Sequence, residues 1–166
     1  MLNQKIFDIL FKFGNKHKKL TVFTTIYSCY LFLIMYLLGY VYILFNFDKY
    51  NYKDLLKYIF VPLITIIIAK ILRRKIKSKR PFEKLNIVSL VKHKGGNSMP
   101  SNHSASAMVL ALALTYILPQ YFLFFIILAF ITGIFRIIAG LHYPIDVLFG
   151  FALGLFIGAL GFFILF

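Results

Sequence analysis

Three short stretches of this 166-residue chain carry side chains able to bind and transfer a charged group. Pro100-Ser101-Asn102-His103 joins a hydroxyl and an imidazole to what reads as the opening of a helix. Proline is favoured at the first helical position, and the free N–H groups of a helix N-terminus attract anions. Further on, Arg136, His142 and Asp146 stand six and four residues apart. A carboxylate one turn from an imidazole can fix its tautomer and raise its basicity, as the orienting acid of a triad does. Upstream, Arg73, Arg74, Lys75, Lys77, Lys79 and Arg80 lead into Pro81. Each stretch also has a plainer reading alone: headgroup-attracted lysines and arginines, a simple helix cap, a snorkelling arginine.

Joined, the three supply a more specific inventory. Guanidinium groups hold phosphate oxygens bidentately and stabilise charge that develops in the transition state. Two histidines allow one to attack phosphorus while the other protonates the leaving oxygen. Asp146 and Glu83 are the only carboxylates near, too few for a dinuclear metal centre, so the expected reaction is metal-independent and needs no cofactor.

The elements that must bring these residues together are read from composition and hydropathy. The chain is 61% hydrophobic and 14% charged, against about 45–50% and 25% for soluble domains. An ordinary water-soluble globule and a disordered chain are both excluded. Cys29, the sole cysteine, lies in an apolar run without metal or redox spacing and reads as an inert thiol. No removable leader is apparent at the N-terminus. Residues 1–19 are mixed and place Ile6, Ile9, Leu10 and Phe13 at helical spacing, which predicts an amphipathic helix lying in the interface. Residues 21–45 carry no charge, enough to cross about 30 Å of hydrocarbon. Residues 55–72 form a weaker span interrupted by Pro62. Residues 101–118 and 121–138 are two further spans parted only by Pro119 and Gln120, and residues 145–166 form the last. Gly150, Gly154 and Gly158 give that last span a small-residue stripe for close packing.

The expected fold is therefore all-α: a polytopic bundle of five transmembrane helices plus an N-terminal interfacial helix, one domain over residues 1–166. The motif loops fall at 73–103 and 136–146. A tight turn at Pro119 makes the third and fourth spans antiparallel neighbours. The end of the second span, the start of the third, the end of the fourth and the start of the fifth must then share one face.

At these residues the chain resembles the type 2 phosphatidic acid phosphatases, relatives of the vanadium haloperoxidases. That family's signature is Lys-x6-Arg-Pro, Pro-Ser-Gly-His and Ser-Arg-x5-His-x3-Asp. Here the matching residues are Arg73 with Arg80-Pro81, Pro100-Ser101-Asn102-His103, and Phe135-Arg136 with His142 and Asp146. The resemblance implies that His142 is the nucleophile and forms a phosphohistidine, with Asp146 orienting its other ring nitrogen. It implies that His103 protonates the leaving lipid oxygen and then activates water. Arg73, Arg80, Arg136, Ser101 and the backbone N–H of Asn102 would hold the phosphate. Arg73 stands where the family has lysine, trading a compact point donor for a planar fork. Asn102 stands for glycine and tolerates positive φ better than most residues. Phe135 stands for serine and removes a hydroxyl.

The expected function is hydrolysis of a lipid phosphate or diphosphate of the phosphatidate, phosphatidylglycerophosphate or undecaprenyl diphosphate type. The expected partners are that lipid and the bilayer; no nucleic acid is expected, and the sequence leaves oligomeric state open. Two rivals stand beside it: a lipid phosphotransferase on the same scaffold, and a small non-enzymatic transporter or anion-binding protein. The expected location is a bacterial inner membrane. Orientation is drawn two ways, because bacterial relatives face the site outward and the positive-inside rule argues the reverse. The net charge of +14 is almost one-sided: 16 of 19 lysines and arginines fall on the motif face, and only Lys49, Lys53 and Lys57 lie opposite.

Overall fold

The structure is a computed structural model and describes residues 2–164. Seven α-helices account for most of it: α1 (Leu2–Lys16), α2 (Lys18–Phe45), α3 (Tyr52–Ile76), α4 (Pro81–Lys84), α5 (Asn102–Ile117), α6 (Phe122–Ile138) and α7 (Pro144–Ala159). A 3-10 turn at Pro119–Tyr121 precedes α6, and a π turn at Leu160–Ile164 follows α7. The last residues of the expected fifth span, 165 and 166, lie outside the described residues, as does residue 1.

Among the described residues four helices are long and apolar enough to cross a membrane: α2, α3 with the short α4 behind it, α6 with its preceding turn, and α7 with its following one. Their outward faces are rich in exposed Leu, Ile and Phe, which only an apolar solvent accepts in such number. The chain is an integral membrane protein. The expected third span is the exception by length. The sequence places it over residues 101–118, but α5 holds only 16 residues. Ser101 is its N-cap, and Leu118 leaves helical geometry (φ −132°, ψ 66°) before Pro119, as the residue before a proline is pushed to do. Pro100 is accordingly outside the helix and not its first residue.

Eleven of the 16 residues of α5 are buried, so it is the axis around which the others pack. Such a helix is apolar all round. On α7, Gly150 and Gly154 lie against Ser101, Ser104, Ala105 and Met108 of α5, where an added Cβ would collide with backbone. The glycine stripe thus sets how close the two helices come. Gly133 of α6 makes room for the ring of Phe151 in the same way.

Helix α3 passes through Pro62 without ending. Proline there leaves the carbonyl four residues earlier, that of Tyr58, without its helical donor. The Tyr36 hydroxyl of α2 donates to that carbonyl (2.7 Å), and the Tyr58 hydroxyl donates to the Tyr36 carbonyl (3.0 Å). Their rings stack at 4.6 Å, and Gly39 leaves space for the Tyr58 hydroxyl. A break in the helix is thereby repaired from its neighbour.

The motif-bearing ends do meet on one face. Arg73 near the end of α3 reaches the Pro100 carbonyl ahead of α5, and the Ser101 N–H donates to the Asp146 carbonyl of α7 (2.9 Å). At the other face Tyr50 donates to the Ile117 carbonyl (3.0 Å) and Tyr116 to Asp54.

Candidate active site

Asp146 is the third residue of α7, and its Oδ2 accepts from the N–H of Tyr143 (2.8 Å), closing the helix start. His142 lies just before that helix in the turn leaving α6, 1% exposed. Because His142 is outside the helix, the four-residue spacing brings it to ion-pair distance of Asp146 but not into a direct hydrogen bond. Its Nδ1 is 3.7 Å from Oδ2, too far for a hydrogen bond. Ser98 fills the gap. Its hydroxyl donates to Asp146 Oδ2 (2.5 Å) and lies 3.1 Å from His142 Nδ1.

The tautomer follows from the donors. Arg80 Nη1 is 3.3 Å from His142 Nε2, and a guanidinium can only donate. Nε2 is therefore the nitrogen with the free lone pair. Nδ1 carries the proton and donates to Ser98, whose own proton goes to Asp146. Burial is the largest influence on the His142 ring and lowers its pKa from the ordinary 6.5; Asp146 pulls upward and Arg80 adds to the lowering. The imidazole is neutral at neutral pH.

Arg80 reaches this nitrogen and Arg73 lies within electrostatic reach of it. Among the described residues neither of them, nor Arg136, forms an ion pair, although Asp146 lies within electrostatic reach of Arg73 and Arg80, and Glu83 of Arg80. Arg80, 2% exposed, donates to the Leu141 carbonyl (3.1 Å). Arg73 donates through Nε (3.2 Å) and Nη2 (2.7 Å) to the Pro100 carbonyl. Arg136, 6% exposed, donates to the Thr25 carbonyl of α2 (3.1 Å) and to Cys29 Sγ. The Nε groups of Arg80 and Arg136 are buried with no partner at all. Buried donors are rarely left unpaired without a reason.

At the start of α5 the Ser101 hydroxyl accepts from the Ser104 hydroxyl (2.9 Å) and the Ser104 N–H (3.4 Å), so its own proton is left to donate. The first N–H groups of the helix, at Asn102 and His103, have no intrahelical partner. Asn102 is not among the positive-φ residues, so this position asks nothing of the backbone that glycine alone could give. His103 is half-buried and lies within electrostatic reach of Arg136, His142, His93 and Arg73.

All the predicted site residues thus fall around the junction of α3, α5, α6 and α7. Arg136 is the one turned partly away, held by α2. Cys29 is half-buried and not merely inert filling, since it accepts from Arg136. Sequence reasoning missed Ser98, whose only signal is a small hydroxyl residue two places before Pro100. It also missed Ser78, which holds the Ser98 segment through its carbonyl to the Ser98 N–H (2.8 Å) and its hydroxyl to the Met99 N–H (2.8 Å). Glu83 serves the loop: it accepts from the N–H groups of Arg80 (3.2 Å) and Gly96 (2.8 Å). Among the described residues no three His, Cys, Asp or Glu side chains cluster as a metal site would require.

Known proteins share this fold and, over part of the chain, its sequence. LpxE of Aquifex aeolicus superposes with a TM-score of 0.72 at 25% identity, covering 97% of this chain and 94% of that one. A PAP2-type phosphatidylglycerolphosphate phosphatase from Bacillus subtilis shares the fold with a TM-score of 0.56 at 22% identity, covering 96% and 92%. Undecaprenyl-diphosphatase BcrC of Bacillus subtilis is 32% identical over 83 residues, 50% of this chain and 43% of that protein. A lipid A 1-phosphatase of Rhizobium johnstonii is 33% identical over 93 residues, 53% and 38%. The match thus spans less than half the length of these curated relatives. The profile of the PAP2 superfamily matches residues 54–166, and the chain belongs to that superfamily.

Proposed function

We propose that the chain is a metal-independent membrane phosphatase that hydrolyses a lipid phosphate or diphosphate through a phosphohistidine. The observation that carries the reading is the gathering of three guanidinium groups without an ion-pair partner among the described residues, two with unpaired buried Nε donors, one of them facing the Nε2 lone pair of a neutral imidazole. Burying such charge costs several kcal/mol per ion unless a counter-charge arrives. A phosphate dianion is the ligand that repays it. The rival reading as a transporter leaves the Ser98-linked His142 and Asp146 without a task.

In this mechanism the arriving phosphate draws Arg80 off Nε2 and onto its own oxygens, freeing the lone pair. Nε2 attacks phosphorus and forms the P–N bond as the bond to the leaving oxygen breaks. His103 gives that oxygen its proton. Positive charge building on the His142 ring is carried through Ser98 to Asp146. Arg73, Arg80, Arg136, the Ser101 hydroxyl and the Asn102 N–H stabilise the equatorial oxygens. His103, now basic, takes a proton from water, and the hydroxide oxygen displaces Nε2 to release inorganic phosphate. The chain spans the bilayer five times, with α5 as the third span and α1 in the interface of a bacterial inner membrane. Its substrate lies among the classes its relatives' names carry: undecaprenyl diphosphate, lipid A phosphate or phosphatidylglycerophosphate.

The test is phosphate release from a panel of these lipids by detergent-solubilised protein in EDTA, with products compared with and without an added acceptor alcohol. Hydrolysis that His142→Ala abolishes supports the reading. Wild-type turnover surviving that change, or phosphate appearing only on the acceptor, overturns it.

A further inference from the structure

Helix α1 meets the turn that carries His142 along a single line of side chains. Asn3, Phe7, Phe11 and Gly14 recur at four, four and three residues, which is one face of a helix. Asn3 Oδ1 accepts from the backbone N–H of Ile145 (3.1 Å), the second residue of α7. That donor belongs to a helix's first turn and has no intrahelical partner. Tyr143, the N-cap of α7, makes no side-chain capping bond of its own, so part of the cap comes from another helix.

Phe7 is fully buried, its ring 5.3 Å from Tyr143 and stacked on Phe11 at 5.5 Å. Phe11 in turn closes on Gly140, where an added Cβ would meet its ring at 2.8 Å. Gly140 has φ +78°, a left-handed conformation that glycine adopts at no steric cost. Gly14 rests on the Ile138 carbonyl. The contacts fall on Ile138, Gly140, Tyr143 and Ile145, bracketing His142 from both sides. From elsewhere the same turn is held by Arg80 on the Leu141 carbonyl and by the Leu90 N–H on the Ala139 carbonyl (3.0 Å).

The opposite side of α1 is unlike this one. Ile9 (69%) and Phe13 (47%) are exposed, as is Leu2 (72%), which borders an apolar hollow together with Pro144 and Ile145. An interfacial helix held only by lipid would need that second apolar face alone. The fully buried Phe7 and the donated cap have no use in membrane attachment.

We propose that α1 positions His142: Asn3, Phe7 and Phe11 fix the turn at residues 138–145 and so aim Nε2, without touching the phosphate. The inference rests on His142 as nucleophile. Misaim of a nucleophile lowers the rate of the chemical step and leaves substrate binding by the arginines intact.

The test measures kcat and KM of solubilised full-length protein on a lipid phosphate, each normalised to monodisperse folded protein. Losing a cap-type hydrogen bond is expected to lower kcat of Asn3→Ala about tenfold with KM within about twofold. Asn3→Asp, which still accepts from Ile145 and suits a helix N-terminus, should return kcat to within about twofold of wild type. Lys12→Ala, on the exposed side of α1, should change neither. Unchanged kcat in Asn3→Ala, a rise in KM alone, or no recovery in Asn3→Asp overturns the inference. His142→Ala in the same assay separates the two levels. Full activity there sinks the nucleophile assignment, whereas an inactive His142→Ala beside a fully active Asn3→Ala sinks only the role of α1.

Discussion

Replacing Ser98 by alanine removes one hydroxyl and leaves His142 and Asp146 facing each other across 3.7 Å. The backbone of residue 98 stays tied to Ser78, and Asp146 keeps its bond from the Tyr143 N–H. What is lost is the hydrogen-bonded link between the carboxylate and the imidazole proton, while the attraction across 3.7 Å remains. A hydrogen bond involving a charged group contributes about 1.5–3 kcal/mol. If that contribution is made mostly when the ring turns cationic during attack, kcat falls roughly ten- to hundredfold. KM should move little, because Ser98 is not among the residues proposed to hold the phosphate. The assay is steady-state phosphate release with Ser98→Ala, Asp146→Ala and the double variant. Residues acting as one unit are non-additive, so the double variant should be no slower than Asp146→Ala alone. A Ser98→Ala enzyme with wild-type kcat, or a double variant whose losses multiply, would refute the relay.

Other outcomes are fixed by the same geometry. Arg80→Ala should raise KM and lower kcat together, since its guanidinium is proposed to meet the phosphate in both ground and transition states; a change in neither removes it from the site. The lowered pKa of His142 keeps the nucleophile neutral below pH 6.5, so protonation of His142 should limit activity only as pH falls through its folded-state value. By linkage the unfolded chain takes up this proton first, so stability falls as pH drops from about 6.5 toward the folded pKa. Thermal melts of His142→Ala should lose that component. Tyr36→Phe strands the Tyr58 carbonyl freed by Pro62 and should cost about 1–3 kcal/mol. Adding Pro62→Ala, which restores a helical donor, should recover most of it in a thermal-shift measurement. Gly140→Ala forces a left-handed residue and a clash with Phe11, and should lower the melting temperature and kcat together.

Much of this molecule could be read before it was seen, for physical reasons that also mark where reading stops. Uncharged runs announce helices in lipid, and a two-residue turn at Pro119 dictates antiparallel neighbours, so the shared motif face followed from hydropathy and loop length. His142 and Asp146 were legible because they lie four apart. Ser98 was not, because it is 48 residues from Asp146 and a lone serine has no period. The spacing misled in one respect: it places two residues a turn apart only inside a helix, and α7 begins after His142. At Pro100 the rule for helix starts was outweighed by tertiary bonds to Arg73 and by the Ser101 cap. The inward face of α1 was hidden because Phe7 and Phe11 interleave with the outward-facing Ile6, Ile9 and Phe13, and composition cannot say which row meets protein.

The brevity of α5 has a mechanical meaning for the surrounding bilayer on the five-span reading. At 1.5 Å per residue, its 16 residues reach about 24 Å, roughly 6 Å short of a typical hydrocarbon core. A helix too short for the hydrocarbon gains nothing by tilting, so on that reading the membrane surface at its motif end would dip, at a cost of fractions of a kcal/mol per Å. Such a dip would lower the headgroup plane toward the level of Ser101 and His142. A lipid phosphate would thereby reach Nε2 with its tails still among their neighbours, the proposed enzyme drawing the membrane surface down to itself instead of lifting substrate out. Turnover should then vary with acyl-chain length of the host vesicle, rising as the bilayer thins toward the span of α5.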